Sequence, residues 1–422
     1  MHHFRFYQDE LYCEDLPIQK IAENVQSPFY LYSKKTILEN YERIDDALQD
    51  VDHLICYALK ANSNVTLLAL LARKGAGADV VSRGEIYLAL KSGFLHEKIV
   101  YAGVGKRDDE IRFALEQGIL AFNVESIEEL RVINNIAHNL QKMAPIAIRI
   151  NPNIDIPTHP YISTGTEMDK FGIEISEAKE IFHKIDLFSN IELIGLHCHI
   201  GSQITEIEPF VKTIQLMKDL VKEMRSHGII LKFVDIGGGL GVQYKNVFQE
   251  KSNSNKMDSQ SILTIEQLVS KLLPDLQALG CKIIFEPGRA LMAQSGILVT
   301  QVLFVKKFQG KQFLILDAGM SDLIRPSLYG AYHEIVPVKK TNRNRVKVDV
   351  VGPICESGDF FARSRWLPEV CREDLLAVMT VGAYGFSLSS NYNARTRPAE
   401  VLVEGGNYRV IRERGKIKNL WK

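Results

Sequence analysis

A lysine, two histidines, three glycines and a glutamate each fall where a short apolar run gives out. Lys60 closes CYALKAN, His197 and His199 close GLHCHIGSQ, Gly237, Gly238 and Gly239 follow FVDI, and Glu286 follows KIIF. Arg149 closes AIRINP in the same way. Singly, each has an ordinary explanation: a lysine reaches solvent, a histidine packs in a core, a glycine run turns the chain. Jointly they match one chemistry. A lysine flanked by small Ala58 and Ala61 and apolar Leu59 can condense with an aldehyde. A glycine-rich turn brings backbone N–H groups close to a phosphate. A histidine ring can stack on an aromatic group. A carboxylate beside a pyridine nitrogen favours its protonated form, which makes the ring a strong electron sink. Lysine, phosphate cradle and acidic partner of the ring nitrogen are the parts of a pyridoxal-phosphate site. A glutamate at that nitrogen suits decarboxylation, which needs a full sink, better than racemisation.

Such residues must be gathered by the elements that carry them. From about residue 52 the chain alternates apolar runs (HLICYALKA, GADVVS, KIVYAG, ILAFNV, APIAIRINP, IELIGLHCHI, KFVDIGGG, CKIIFEPG) with stretches of helical period such as VTLLALLARK and EELRVINNIA. Eight strand-like runs, each followed by a crossover, predict parallel strands joined by helices. The span matches a TIM-like (β/α)8 barrel, whose active sites lie at the C-terminal strand ends; a doubly wound open sheet is the alternative. After about residue 291, short β-branched runs such as QFLILDAG, RVKVDVVG and AEVLVEG predict a second, mostly antiparallel β-domain. The expected division is 1–26 as N-terminal strands joining that β-domain, 27–290 as the barrel, and 291–422 as the β-domain. The polar stretch 244–262 (KNVFQEKSNSNKMDSQS at its centre) reads as a mobile surface insertion touching no residue with a chemical role.

Bulk properties narrow the partners. Lys+Arg and Asp+Glu both number 51 in 422 residues, giving a formal net charge of zero. No global field draws the chain to nucleic acid or an anionic membrane, so a small-molecule substrate is expected. The six cysteines, Cys13, Cys56, Cys198, Cys281, Cys355 and Cys371, have neither metal-ligand nor disulfide-framework spacing, so no metal is expected. The N-terminus meets acidic residues before any signal-like apolar run, and no uncharged run is long enough to cross a bilayer. A cytoplasmic enzyme is the expectation.

The chain resembles the alanine-racemase-like (fold type III) pyridoxal-phosphate decarboxylases along essentially its whole length. The resemblance rests on YALKAN at 57–62, HIGSQ at 199–203, DIGGGLG at 235–241, EPGR at 286–289, DAGMSDLIRPSLYGAYH at 317–333, GPICESGDF at 352–360 and GAYGFSLSSNYN at 382–393. Seven segments in the family's order carry far more weight than any one. The resemblance implies pyridoxal 5'-phosphate as cofactor and Lys60 as the lysine that condenses with it. It implies His199 stacking on the ring, and Ser202 with Gly237, Gly238 and Gly239 at the phosphate. Glu286 would meet the ring nitrogen, and the backbone of Pro287, Gly288 and Arg289 would also face the phosphate. Tyr384 would touch cofactor and substrate, Arg289, Arg325 and Tyr329 the substrate carboxylate, and Glu356 a distal amino group. Cys355 would protonate Cα after CO2 leaves, entering from the partner of a homodimer with shared sites. Asp79 and Asp317 would support the site indirectly.

The substrate expectation has physical content. Two arginines and a glutamate suit a molecule with an amino-acid centre at each end, because arginine binds carboxylate bidentately and glutamate takes an ammonium. That favours decarboxylation of meso-2,6-diaminopimelate to L-lysine. Ornithine, arginine or carboxynorspermidine would be the rival substrates, and enzymes for the diamine-forming reactions carry an Asp-containing CDGxD-like loop where this chain has CESGD. A regulatory protein that had lost catalysis would lack the lysine, the cysteine or the glycine turn. A racemase would lack both Glu286 and a thiol at Cys355. Arg83 stands where a second glycine is common. His53, His96 and His227 read as surface or packing residues.

Overall fold

The eight apolar runs fold as the eight strands of a closed parallel barrel in the computed structural model, which describes residues 2–154, 170–248 and 262–420. The strands are His53–Ala58, Gly77–Val80, Ile99–Tyr101, Ala121–Val124, Ala144–Arg149, Ile191–His197, Phe233–Asp235 and Lys282–Phe285. Each pairs in parallel with the next, and Lys282–Phe285 closes the ring on His53–Ala58. Closure decides against the open sheet. The barrel is filled by Cys56, Val100, Ala121, Ala147, Ile194, Phe233 and Ile284. Gly195 is required there, because a Cβ on it would lie 2.4 Å from the Phe233 ring.

Crossover helices start where the sequence supplies caps. Ser82 and Ser126 accept hydrogen bonds from the backbone N–H of Glu85 and Glu129, and those glutamates accept from Val81 and Glu125. The Ser-x-x-Glu spacing thus satisfies donors that a helix start leaves open. Thr264 and Gln267 do the same for Ile265–Leu279. Arg83 opens one such helix, exposed, with its guanidinium 4.8 Å from the Phe113 ring centroid. No helix among the described residues is long and apolar enough to cross a membrane.

The chain divides into two compact units: residues 41–241 with 261–290, and residues 1–40, 242–260 and 291–422. The second unit is built on a nine-stranded, mostly antiparallel sheet. Its backbone is the long strand Gly296–Phe308, which pairs with Phe29–Ser33, Leu375–Val378 and Lys311–Leu316. Phe29–Ser33 is therefore a sheet strand, whereas the sequence boundary at 26/27 assigns it to the barrel. All five of its residues are buried, so the alternation that marks a half-exposed strand is missing. The N-terminal strands Phe4–Tyr7, Glu10–Cys13 and Leu16–Pro17 form a three-stranded sheet of their own. Leu11, Cys13, Ile18 and Ile21 pack with Leu31, Val299, Val401 and Val403 in one core. Buried Glu14 accepts from Ser33 Oγ and the backbone N–H of Lys35 and Gly405, tying three distant segments together.

The 244–262 insertion is described only to Phe248 and again from Ile262; the rest lies outside the described residues. Its start is not a free loop. Val247 N–H donates to Glu334 at 2.8 Å, and Phe248 packs against the rings of His2 and Phe6.

Candidate active site

In the barrel unit, the expected residues gather at the C-terminal strand ends. Lys60 follows His53–Ala58, and its Nζ lies 2.5 Å from Asp79, which stands next to last in the next strand, Gly77–Val80, and is fully buried. Glu286 follows Lys282–Phe285 and is 5% exposed. Its oxygens lie 3.3 Å from His197 Nε2 and 3.5 Å from Asn123 Nδ2. The His197 contact has ion-pair distance but not hydrogen-bond alignment. Asp235 ends its own strand and accepts from Gly237 N–H at 2.9 Å. The donor atoms of His197, Asp235 and Glu286 all lie within 4.8 Å of one another.

These buried charges sort themselves. Burial first, then the charge of Glu286, pushes Asp235 well above the carboxylate range, which favours its protonated form. Burial would also raise Glu286, but nearby His197 and then Lys60 outweigh it and hold its carboxyl below the ordinary value. Asp79 is raised, by burial and then by Glu286, against the pull of Lys60. Negative charge at the centre of the site is thus favoured on Glu286 over its two acidic neighbours. His199 is driven down to about 3, by burial first and then by Arg149 and Lys60, so its ring is neutral. Its Nδ1 accepts from Gly238 N–H at 3.1 Å, which a neutral ring allows.

The glycine turn is wedged between two neighbouring strand ends. A Cβ on Gly237 would lie 2.6 Å from the Cys198 carbonyl oxygen, on Gly238 2.1 Å from that of Glu286, and on Gly239 2.5 Å from that of Gly201. Gly237 and Gly239 also have φ of +65° and +104°, a region that favours glycine. Arg289 Nε and Nη2 donate to Ser202 Oγ at 3.2 and 3.0 Å, so the EPGR and HIGSQ segments converge beside this turn.

A ring nitrogen, an aldehyde and a phosphate fit this set. Asp79 Oδ1, Asn123 Oδ1, both ring nitrogens of His197 and Asp235 Oδ2 are buried without a hydrogen-bond partner among the described residues. Each such atom costs about 1–3 kcal/mol unless something satisfies it, and their concentration at one end of one barrel marks a ligand site.

Sequence reasoning missed Asn123, Asp235 and Glu125. Glu125 lies 2.5 Å from Arg149 and also accepts from Gly103 and Gly172 N–H, so the strand-end Arg149 is pinned rather than reaching solvent. The signal was available: a polar residue inside ILAFNV and an acid ending KFVD, both in otherwise apolar runs.

The remaining expected residues lie in the β-unit. Cys355 and Glu356 occupy an exposed loop between the strands Arg345–Val351 and Phe360–Pro368. Asp359 shapes that loop, accepting from Met320 and Ile354 N–H at 2.6 Å each, while Cys355 N–H donates to Asn393 Oδ1 at 3.0 Å. Gly352 must be glycine, since a Cβ would lie 2.4 Å from Asp359. Arg325 and Tyr329 bound a five-residue helix; Arg325 is buried and Tyr329 half-buried. Tyr384 is half-buried with φ of +57°. Arg325 Nη1 donates to Tyr244 OH at 3.1 Å. The start of the 244–262 segment therefore does touch a residue with a proposed chemical role, against the sequence expectation. Asp317 binds Thr300 Oγ1, Ser27 Oγ and Gln301 N–H, which makes it an anchor of the β-unit.

Comparison with known proteins bears on the whole chain. Residues 34–293 match the pyridoxal binding domain of the pyridoxal-dependent decarboxylases. A diaminopimelate decarboxylase of Aquifex aeolicus is 48% identical, covering 97% of this chain and 94% of its own. One from Haemophilus influenzae is 43% identical over 100% of this chain and 99% of its own. The crystal structure of diaminopimelate decarboxylase from Helicobacter pylori complexed with L-lysine superposes with a TM-score of 0.90 at 43% identity, covering 96% of this chain and 98% of that one. With the barrel, the lysine, the buried glutamate and the glycine turn in place, and with this likeness running from end to end, the chain belongs to the diaminopimelate decarboxylases, within the pyridoxal-dependent decarboxylases.

Proposed function

We infer that the protein decarboxylates meso-2,6-diaminopimelate to L-lysine and CO2 with pyridoxal 5'-phosphate. The observation that carries this reading is the buried Glu286, 3.3 Å from His197, at the same barrel end as Lys60 and the glycine turn. When bound, the cofactor supplies an aldehyde and a ring that accepts the electrons released with CO2. Lys60 Nζ would hold the aldehyde carbon, positioned by Asp79. Glu286 would hold the proton on the ring nitrogen, His199 would lie against the ring face, and Ser202 with Gly237, Gly238 and Gly239 would bind the phosphate. Pro287 and Gly288 would contribute backbone to the same cradle, and Tyr384 would contact both cofactor and substrate.

Specificity is assigned to the β-unit and to Arg289. Arg289, Arg325 and Tyr329 would bind the carboxylate of the amino-acid centre that is retained, and Glu356 its ammonium. Cys355 Sγ would deliver a proton to the Cα that has lost CO2. The family resemblance further supports a homodimer with shared sites and a cytoplasmic enzyme.

The test is to load the purified protein with pyridoxal phosphate, record its absorbance, and assay CO2 and lysine on adding meso-diaminopimelate. A cofactor band with lysine and CO2 formed one to one supports the reading. A band without lysine, but with CO2 from ornithine, arginine or carboxynorspermidine, moves the substrate and keeps the chemistry. No band after loading removes the site.

A further inference from the structure

We propose that His333 is a positioning residue for substrate recognition: a neutral imidazole that fixes the plane of the Arg325 guanidinium for the carboxylate of the retained amino-acid centre. The inference rests on the assignment of that carboxylate to Arg325.

His333 is completely buried. Its Nδ1 lies 2.8 Å from the carbonyl oxygen of Met379, and its Nε2 lies 3.0 Å from Arg325 Nη1. A carbonyl can only accept, so Nδ1 carries the hydrogen. A guanidinium can only donate, so Nε2 must offer a lone pair. One protonation state meets both demands, the neutral ring with hydrogen on Nδ1; an imidazolium would set N–H against N–H. Met379 therefore chooses the tautomer, and the tautomer holds the arginine.

A second group holds the same nitrogen. Tyr244 OH accepts from Arg325 Nη1 at 3.1 Å, and the guanidinium carbon lies 5.0 Å from the Tyr244 ring centroid. The His333 ring meets the Tyr244 ring edge-on, at 5.2 Å and 85°. Nη1 has two hydrogens, enough for both acceptors, and each contact restrains rotation of the fork. Both acceptors are uncharged. They orient the cation without either of them competing for a substrate carboxylate, which suits a carboxylate-binding arginine. A carboxylate partner in the place of His333 would fix the plane but would compete with the substrate.

Three substitutions separate the roles of the ring. His333→Gln keeps an acceptor that can reach Arg325. His333→Asn keeps a donor for Met379 but loses that acceptor, and His333→Leu loses both. The readouts are KM and kcat for meso-diaminopimelate, together with inhibition by two probes: L-lysine, which keeps the retained carboxylate, and 1,5-diaminopentane, which lacks it. We expect Asn and Leu to raise KM and the inhibition constant of L-lysine roughly tenfold or more. We expect kcat to change little, 1,5-diaminopentane to bind as before, and Gln to restore most of the lysine affinity. Equal weakening of both probes would make His333 a merely structural residue and overturn the inference. Arg325→Gln is run in parallel. If it weakens L-lysine while His333→Asn does not, the His333 inference falls and the Arg325 assignment stands. If Arg325→Gln leaves L-lysine binding unchanged, the assignment falls and takes the inference with it. Should His333→Leu fail to fold, the contrast between Asn and Gln decides.

Discussion

Glu286 has three close neighbours, and the sequence disclosed it and His197 but not Asn123 or Asp235. Lys60, His199 and Glu286 were legible because a charged or aromatic polar residue directly after an apolar run is unusual. Asn123 was hidden inside a strand, Asp235 looked like the acid before any turn, and His333 acts only through a residue eight positions away. What such residues do depends on pairings across the fold that no spacing encodes. Glu286→Gln keeps the side chain's size and removes its charge. We expect cofactor still to load but CO2 release to fall by roughly a hundredfold or more, because the ring nitrogen loses the partner that keeps its proton; an undiminished rate would remove Glu286 from the sink. Cys355→Ala should likewise keep the cofactor band and slow turnover severely, and unchanged turnover would withdraw its proton-donor role. Glu356→Gln should raise KM for meso-diaminopimelate more than it weakens cofactor binding, and equal losses would mean that the side chain serves the loop alone.

The eight barrel strands could be read from their apolar runs because parallel strands covered by helices are buried on both faces. The same property hid Phe29–Ser33, whose five buried residues carry no alternation and whose partners lie more than 260 residues away. Backbone crowding at the glycine turn sets one prediction for these elements. Gly238→Ala forces a Cβ to within 2.1 Å of the Glu286 carbonyl oxygen, so the EPGR and DIGGGLG segments must part. We expect cofactor affinity to fall more than tenfold and the melting temperature to drop by several degrees, read by titration with pyridoxal phosphate and by thermal unfolding. The DAGMSDLIRPS segment offers a pH-dependent one. Asp322 is buried, accepts from Gly319 N–H, and is raised by that burial to about 6. An acid whose pKa is higher in the folded state makes folding less favourable as pH rises from its unfolded value to about 6, and by a constant amount above that. Asp322→Asn should therefore stabilise the protein at pH 8 by on the order of 2 kcal/mol, and the gain should shrink below pH 5. A gain independent of pH would show that the carboxyl is not the cause.

For the whole molecule, the resemblance supports a dimer in which one subunit's Lys60 works with its partner's Cys355. Lys60→Ala and Cys355→Ala proteins, each expected to retain little activity alone, are unfolded together and refolded. If sites are shared, random pairing should restore about one quarter of the activity, since half the dimers are mixed and each of those has one intact site. No restoration, with mixed dimers present by mass, would place both residues in the same chain. A different consequence follows from Phe29–Ser33, which lies between Gly296–Phe308 and Ala399–Glu404 in its sheet. On the ribosome this strand emerges early and both partners emerge late. At about 5–20 residues per second, more than 350 residues of synthesis separate it from its last partner, a wait of roughly 20–70 seconds. Every strand of the barrel is made within that interval, so the barrel can close while the sheet cannot. Until then, five apolar-rich residues present two unpaired edges, a template for the wrong chain. Nascent chains stalled between residues 290 and 399 should therefore engage chaperones through their first forty residues, and those released after 404 should not.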